Sequence, residues 1–403
     1  MLGHTFNIMA FPAGPKCNLN CEYCYYLDKI KLYPNTNNFM MSYQILKMYI
    51  KQYVEAYSGS DINFIWQGGE PTLRGLKFFK KAVELEKKYM PKHLSIHNNF
   101  QTNGILIDQQ WANFFLREDF LVGLSIDGPD YIHDQYRRDK QGNPTHKRVM
   151  KNLKVLKTYN IKYNVLCVVN NLNVKKPIQV YNFFKKNKIR YLQFIPLVEA
   201  DQKGKISKRT VQPENYKKFL IELFNEWILN DYGNIYIQFF EECVKAWLGI
   251  KTNLCTVSEY CANNFALEHN GDLYSCDHYV YLKNKLGNIQ DKKIVDLIHS
   301  SKQFKFAELK ISELPEVCRE CKYFFVCHGG CPKNRLKEYE SSGKKINYLC
   351  EAYKGFFSYA FPYFESMADG IRLCKKPTEI QSELIKIYKD YEDKCDSNCY
   401  FFN

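Results

Sequence analysis

Between residues 5 and 229 the chain alternates short β-rich runs with stretches of helical periodicity, six times in succession. The runs are "TFNIMAF" (5–11), "DINFIWQ" (61–67), "HLSIHNN" (93–99), "FLVGLSI" (120–126), "YNVLCVV" (163–169) and "YLQFI" (191–195). Helices are expected over about 42–57, 75–90, 108–118, 146–159, 175–187 and 214–229. Such alternation predicts an α/β fold, a parallel sheet covered by helices and either open or curled into a partial barrel. Periodicity alone does not separate those two shapes.

Sites in such folds lie beyond the carboxyl ends of the strands. The distinctive polar loops fall there. "GPKCNLNCEYCYYLDK" (14–29) follows the first strand, "GGEPT" (68–72) the second, "QTNG" (101–104) the third and "DGP" (127–129) the fourth. Any one of them reads as an ordinary turn. Together they are expected to converge on one rim alongside the thiols of Cys17, Cys21 and Cys24. Four soft ligands would close a zinc site, whereas three leave one coordination position open.

The chain holds 16 cysteines in 403 residues. It has no apolar run long enough to span a bilayer and no basic-then-apolar leader, so a cytoplasmic protein without a membrane partner is expected. In that setting clustered cysteines point to metal or iron-sulfur ligation rather than disulfides. The net charge of +14 raises the question of nucleic acid. However, lysines and glutamates interleave in helices such as "LKFFKKAVELEKKY", as on solvated faces, so no nucleic-acid partner is expected.

After about residue 235 the pattern changes. Cys255, Cys261 and Cys276 are followed by Cys318, Cys321, Cys327, Cys331 and Cys350, with Gly-rich "HGGCP" at 328–332. "FALEHNGDLYSCDHYVY" carries an Asn-Gly hairpin signal at 270–271 and places Cys276 on the second arm. A segment so rich in turns and thiols is expected to fold around its metals. Proximity alone groups Cys318, Cys321, Cys327 and Cys331 as one site, zinc being one occupant. Cys167 in an apolar strand and Cys243 on a helical stretch read as small core hydrophobes. The tail contains the helical "TEIQSELIKIYKDYED" and Cys374, Cys395 and Cys399, to which no chemistry is assigned.

"CNLNCEYC", with Tyr23 before the last cysteine, resembles the cluster-binding signature of radical S-adenosylmethionine enzymes. With "QGGEPTL", "SIDGP", "HDQYR", "GDLYSCDHYV", "LGNI" and "CRECKYFFVCHGGCPKNR", the chain up to about residue 365 is similar to the anaerobic sulfatase-maturating enzymes, which carry a cysteine-rich SPASM extension. The resemblance implies a partial (β/α)6 TIM-like barrel over 1–235, a SPASM domain over 236–370 and a partly helical tail over 371–403.

It also implies three [4Fe-4S] clusters. Cys17, Cys21 and Cys24 would hold the one that binds S-adenosylmethionine. Cys255, Cys261, Cys276 and Cys331 would hold the first auxiliary cluster, and Cys318, Cys321, Cys327 and Cys350 the second. The implied reaction is radical oxidation of a cysteine or serine in a sulfatase to Cα-formylglycine (3-oxoalanine). Asp277 would be the base, although by position alone it reads as a hairpin carboxylate accepting backbone hydrogen bonds. His278 is a weaker alternative base. Tyr23, Gly69, Glu70, Ser125, Arg137 and Val198 would line the cofactor pocket, and Tyr26, Gln67 and Asn103 would position cofactor or peptide. For Tyr26 a core role is an equal reading.

The implied partners are an unfolded or nascent sulfatase with a Cys/Ser-x-Pro/Ala-x-Arg motif and a reduced flavodoxin or ferredoxin-type donor, with the enzyme itself a monomer. An alternative within the same architecture is modification of another peptide, for example by a thioether bond.

Overall fold

The computed structural model describes residues 6–201, 203–261, 264–339 and 343–396. Thr5 and Cys399 lie outside them. In chain order the strands are β1 (Asn7–Ala10), β2 (Asp61–Trp66), β3 (Ser95–Thr102), β4 (Leu121–Ser125), β5 (Tyr163–Val169), β6 (Tyr191–Pro196), β7 (Tyr236–Ile237), β8 (Asn264–Leu267), β9 (Asp272–Tyr274), β10 (Lys285–Asn288), β11 (Arg335–Glu338) and β12 (Lys345–Asn347). The α-helices are α1 (Tyr43–Ala56), α2 (Leu76–Tyr89), α3 (Gln109–Arg117), α4 (Asp130–Tyr136), α5 (His146–Thr158), α6 (Pro177–Lys186), α7 (Pro213–Glu226), α8 (Gln238–Trp247), α9 (Ile294–Ile298), α10 (Ser301–Ser312), α11 (Glu316–Arg319), α12 (Phe324–Cys327), α13 (Cys350–Arg372) and α14 (Pro377–Asp396).

The chain divides into two compact units, residues 1–166 with 260–309 and residues 167–259 with 310–403. In the first, strands run in the order β10-β9-β8-β1-β2-β3-β4-β5. β1 to β5 are parallel, in registers such as Ile8 beside Phe64, Phe64 beside Asn98 and Val122 beside Tyr163. β8 adds to β1 in parallel, Ile8 beside Phe265, and β9 and β10 then run antiparallel. Residues of β2 alternate between exposed or half-buried and buried positions, the period-two pattern of a strand with one covered face.

Helix starts are sequence-coded. Ser42 accepts from Ile45 N at the head of α1, and Asp108 accepts from Trp111 N at α3. α2 buries Phe78, Phe79, Ala82, Val83, Leu85 and Glu86 and leaves its lysines to solvent. Phe79 packs edge-on to Trp66 and Phe100, with ring centroids 5.5 and 5.0 Å apart.

In the second unit β6 and β7 are parallel, Tyr191 beside Tyr236. Phe224 of α7 meets Phe240 of α8 and Phe356 and Phe364 of α13, with centroids 5.1, 5.6 and 5.3 Å away. The tail forms α14, whose Gln381 Nε2 donates to the Ile228 carbonyl at 3.1 Å.

Two sequence expectations are adjusted. The third strand runs on to Thr102 because Phe100 and Thr102 are themselves buried. The hairpin arm ends at Tyr274, so Cys276 lies past the strand, at the head of a single 3-10 turn over Asp277–Tyr279. Cys167 and Cys243 are buried as small hydrophobes.

Candidate active site

In the first unit the loop after β1 carries Cys17, Cys21 and Cys24, and backbone contacts fix its path. Gly69 N donates to Gly14 O and Glu70 N to Lys16 O, both at 2.8 Å. A Cβ on Gly69 would stand 2.0 Å from the Lys16 carbonyl, so only glycine lets the loop after β2 lie against the cysteine loop. On the other side Asn20 N donates to Arg138 O at 2.8 Å and Glu22 N to Tyr136 O at 3.1 Å.

The three thiols occupy one electrostatic neighbourhood. Burial, then the Glu70 carboxylate and the thiols of Cys21 and Cys24, push Cys17 up to about 12. Burial pushes Cys21 up to about 11, with Cys24 and Asp127 adding to it and Arg137 opposing. Three soft donors that disfavour one another's anions in a buried pocket fit a cationic iron-sulfur group, which would neutralise all three together.

Around them stand the other loop residues. Glu70 is fully buried. Its Oε1 accepts from Thr72 N at 3.0 Å, Thr72 Oγ1 at 2.6 Å and Thr102 Oγ1 at 2.8 Å, and its Oε2 accepts from Asn103 N at 2.8 Å. Burial raises its carboxyl, against these four donors. Asn103 Nδ2 also reaches Asn18 Oδ1 at 2.8 Å and Cys17 Sγ at 3.6 Å. Arg137 Nη1 donates to Tyr23 Oη at 2.9 Å, and that hydroxyl donates to Asp127. Gln101 Nε2 donates to Ser125 Oγ at 3.1 Å, and Gln67 Nε2 lies 3.0 Å from Met9 Sδ.

Tyr26 belongs to the core. It is 2% exposed, packs edge-on to Phe11, and donates its hydroxyl to buried Glu268. Its neighbour Tyr25 is 43% exposed and donates at 2.8 Å to Asp277 Oδ2. Burial works to raise the Asp277 carboxyl, but His278, the Tyr25 hydroxyl and Cys276 together hold it below the usual carboxylate range. The His278 ring lies 4.5 Å from the Tyr25 ring.

In the second unit Cys318, Cys321, Cys327 and Cys350 act on one another. Burial raises Cys318, opposed by Arg335 and aided by Cys321. Burial and then the backbone at Gly329 set Cys327 at about 11, with Cys318 and Cys321 raising it. Burial, Cys327 and Cys318 push Cys350 up to about 12. Four thiols in one neighbourhood fit a fully ligated cluster. Among the described residues no three His, Cys, Asp or Glu side chains stand close enough to hold one metal ion between them, so these thiols are grouped by their mutual electrostatic influence alone. Val198 is buried in the second unit.

Two family models match the chain, the radical SAM superfamily over residues 11–184 and the iron-sulfur cluster-binding domain SPASM over 255–322. The serine-type anaerobic sulfatase-maturating enzyme of Bacteroides thetaiotaomicron is 38% identical over 94% of each chain. The cysteine-type enzyme of Clostridium perfringens is 38% identical over 91% of this chain and 99% of its own.

The chain belongs to the anaerobic sulfatase-maturating enzymes.

Its fold agrees. The structure of anSMEcpe with bound AdoMet and the Cp18Cys peptide superposes with a TM-score of 0.82 at 36% identity, over 91% of this chain and 99% of that one. Streptococcus suis SuiB, at 16% identity and a TM-score of 0.62, shares the fold. The chain is thus a radical SAM enzyme with a SPASM domain.

For this sulfatase-maturating enzyme, sequence reasoning singled out Tyr23, Gly69, Glu70, Ser125 and Arg137; Tyr23 stands in the triplet loop, Gly69 and Glu70 in the loop after β2, Ser125 at the end of β4 and Arg137 just past α4. Sequence reasoning missed Tyr25, Asp127, Thr102 and Glu268. Thr102 stands in "QTNG" and Asp127 in "DGP", so both loops were in view. Nothing in "CYYLDK" separates Tyr25 from Tyr26, because adjacent residues of a tight turn diverge only once the turn is built.

Proposed function

We propose that this enzyme oxidises a cysteine or serine side chain in an unfolded or nascent sulfatase segment, of the Cys/Ser-x-Pro/Ala-x-Arg type, to Cα-formylglycine. The observation that carries the reading is the Asp277 carboxylate, oriented by Tyr25 directly after Cys276, in the same unit as the open three-thiol loop. The division into 1–235, 236–370 and 371–403 belongs to the same reading; the two family models, over 11–184 and 255–322, fall inside its first two segments.

Cys17, Cys21 and Cys24 would hold the cluster that binds S-adenosylmethionine, and Cys318, Cys321, Cys327 and Cys350 the second auxiliary cluster. Assignment of Cys255, Cys261, Cys276 and Cys331 to the first auxiliary cluster rests on resemblance. When bound, these cofactors supply a 5′-deoxyadenosyl radical that takes a hydrogen atom from substrate Cβ, and a route for the electron that then leaves.

Asp277 takes the proton of the substrate thiol or hydroxyl, a role suited to a carboxylate within hydrogen-bond reach of the reacting group. Tyr25 keeps one Asp277 oxygen engaged and so aims the other. Arg137, Tyr23 and Ser125 would receive the polar groups of the cofactor, and the Gly69 backbone permits its close approach. Glu70, with four internal donors, acts by shaping the loops around Thr72, Thr102 and Asn103. Gln67 and Asn103 remain candidates for positioning cofactor or peptide. We place the reaction in the cytoplasm of an anaerobic cell, in a monomer supplied by a flavodoxin or ferredoxin.

The test is mass spectrometry of Cys-x-Pro-x-Arg and Ser-x-Pro-x-Arg peptides incubated anaerobically with reconstituted enzyme, reductant and S-adenosylmethionine. Conversion of thiol or alcohol to aldehyde with release of 5′-deoxyadenosine is expected. Release of 5′-deoxyadenosine with both peptides unchanged would reject the substrate assignment and leave peptide modification of another kind, thioether formation included.

A further inference from the structure

Two contacts join the segment after Cys24 to the segment after Cys276, all within the first unit. One is the hydrogen bond from Tyr25 to Asp277. The other lies further along both segments: Lys29 is buried, and its ammonium stands over the ring of Tyr281, 3.4 Å from the centroid. Among the described residues that ammonium has no hydrogen-bond or ion-pair partner, so the ring face is what it rests on. A desolvated cation is held more firmly by a π face than an exposed one.

Tyr281 and Asp277 belong to one closed loop. Ser275 N donates to Asn284 O at 3.3 Å across its base, and Asn284 N donates to Tyr281 O at 2.8 Å. Val280 is buried in the cluster of Phe11, Tyr26 and Tyr274, and Tyr279 packs edge-on to Phe306 with centroids 5.3 Å apart. This anchored loop nevertheless leaves Tyr281 47% and Leu282 69% exposed. Large apolar side chains held out on a fixed backbone mark a contact surface. With Lys29 on one face of the ring, Tyr281 offers the other.

We propose that Tyr281 is the platform for the residue two positions beyond the target, the Pro or Ala of the Cys/Ser-x-Pro/Ala-x-Arg segment, and that Lys29 is a positioning residue that fixes the ring for it. In an extended peptide, side chains two apart lie on one face, about 6.6 Å from each other. A segment that presents its thiol or hydroxyl to Asp277 therefore turns this residue to the same wall. Proline has no N–H to satisfy and packs on aromatic surfaces, as Pro-rich segments do in aromatic-lined grooves. The inference rests on the formylglycine reading above, and its test keeps the two apart.

Steady-state aldehyde formation is measured for Cys-x-Pro-x-Arg and Cys-x-Gly-x-Arg peptides with the reconstituted, iron-loaded parent, Tyr281→Ala, Tyr281→Phe and Lys29→Met. Tyr281→Ala is expected to raise KM for the proline peptide about tenfold, which is about 1.4 kcal/mol, with a smaller change in kcat and little change in KM for the glycine peptide. Comparing the two peptides on each enzyme cancels their own conformational preferences. Tyr281→Phe keeps the ring and should restore the parent KM. Lys29→Met should raise KM for the proline peptide alone, and should add nothing to Tyr281→Ala.

If Tyr281→Ala loses cluster iron, Tyr281→Gln, which fills the space without a ring, should show the same selective rise. An unchanged KM for the proline peptide overturns the proposal, and so does an equal rise for both peptides, which a general loosening of the loop accounts for. If the parent converts neither peptide, the formylglycine reading itself fails and the inference falls with it.

Discussion

The hydroxyl of Tyr25 donates a 2.8 Å hydrogen bond to Oδ2 of Asp277, 252 residues further along the chain. Cys24 and Cys276, both assigned here to clusters, directly precede the two partners. The contact therefore joins the cysteine-triplet loop to the candidate base. Tyr25→Phe removes one hydrogen bond to a charged group, worth about 1.5–3 kcal/mol, so aldehyde formation should fall by about tenfold to a hundredfold. Asp277→Asn should cost more, on the order of 10²–10⁴-fold for loss of a general base. In both variants 5′-deoxyadenosine should still be released, so the ratio of aldehyde to nucleoside is the quantity to measure. Parent-like ratios in Asp277→Asn would remove it from the mechanism.

Gly69→Ala tests the docking of the second loop on the first. The added methyl would stand 2.0 Å from the Lys16 carbonyl, a backbone atom that cannot rotate away. The loops must separate, at a cost of about 1–3 kcal/mol by analogy with overpacked sites. The variant should bind less iron at the Cys17 cluster while retaining the auxiliary signals. Full iron at all clusters would show that the loop tolerates the separation.

The grouping of the second-unit cysteines is tested by comparing Cys350→Ala, Cys331→Ala and Cys318→Ala. Cys350 and Cys318 act on each other electrostatically, so their variants should lose the same spectroscopic signal. Cys331→Ala should disturb a different one. If Cys331 and Cys318 instead share a signal that survives in Cys350→Ala, proximity along the chain was the better guide.

Much of this architecture is legible in the sequence because its signals are local. β1 to β6 announce themselves as β-rich runs, and Ser42 and Asp108 mark helix starts. The addition of β8 to β1 is not legible, since "NFAL" carries no mark of its partner or direction and the pairing spans 257 residues between Asn7 and Asn264. The same holds at the site. Cysteine spacing reveals the triplet loop, but which of two adjacent tyrosines enters the core and which meets Asp277 depends on a turn that sequence does not draw. Lys310 reads as one more lysine on an amphipathic helix. Its burial, and the backbone carbonyls of Cys255 and Ser258 that its Nζ meets, are not written in that pattern.

Glu86 is a buried acid of the core. It lies on the inner face of α2, 2% exposed. Asn98 Nδ2 donates to its Oε2 at 2.8 Å, and Trp66 Nε1 donates to Asn98 Oδ1 at 2.7 Å. The other oxygen, Oε1, has no hydrogen-bond partner among the described residues. Burial pushes the carboxyl up to about 7 from 4.5, against the Asn98 bond. Between those two values the folded protein holds a proton that the unfolded chain has lost, so stability falls as pH rises through the window and levels off above it. A shift of that size corresponds to about 3 kcal/mol of destabilisation on the alkaline side. Glu86→Gln removes the charge and keeps an acceptor for Asn98. It should therefore stabilise the protein above about pH 8 and change little below about pH 5, as read from anaerobic thermal unfolding of the holoenzyme at the two extremes. Equal shifts at both would mean that the carboxyl does not titrate in the window and that the effect is one of packing.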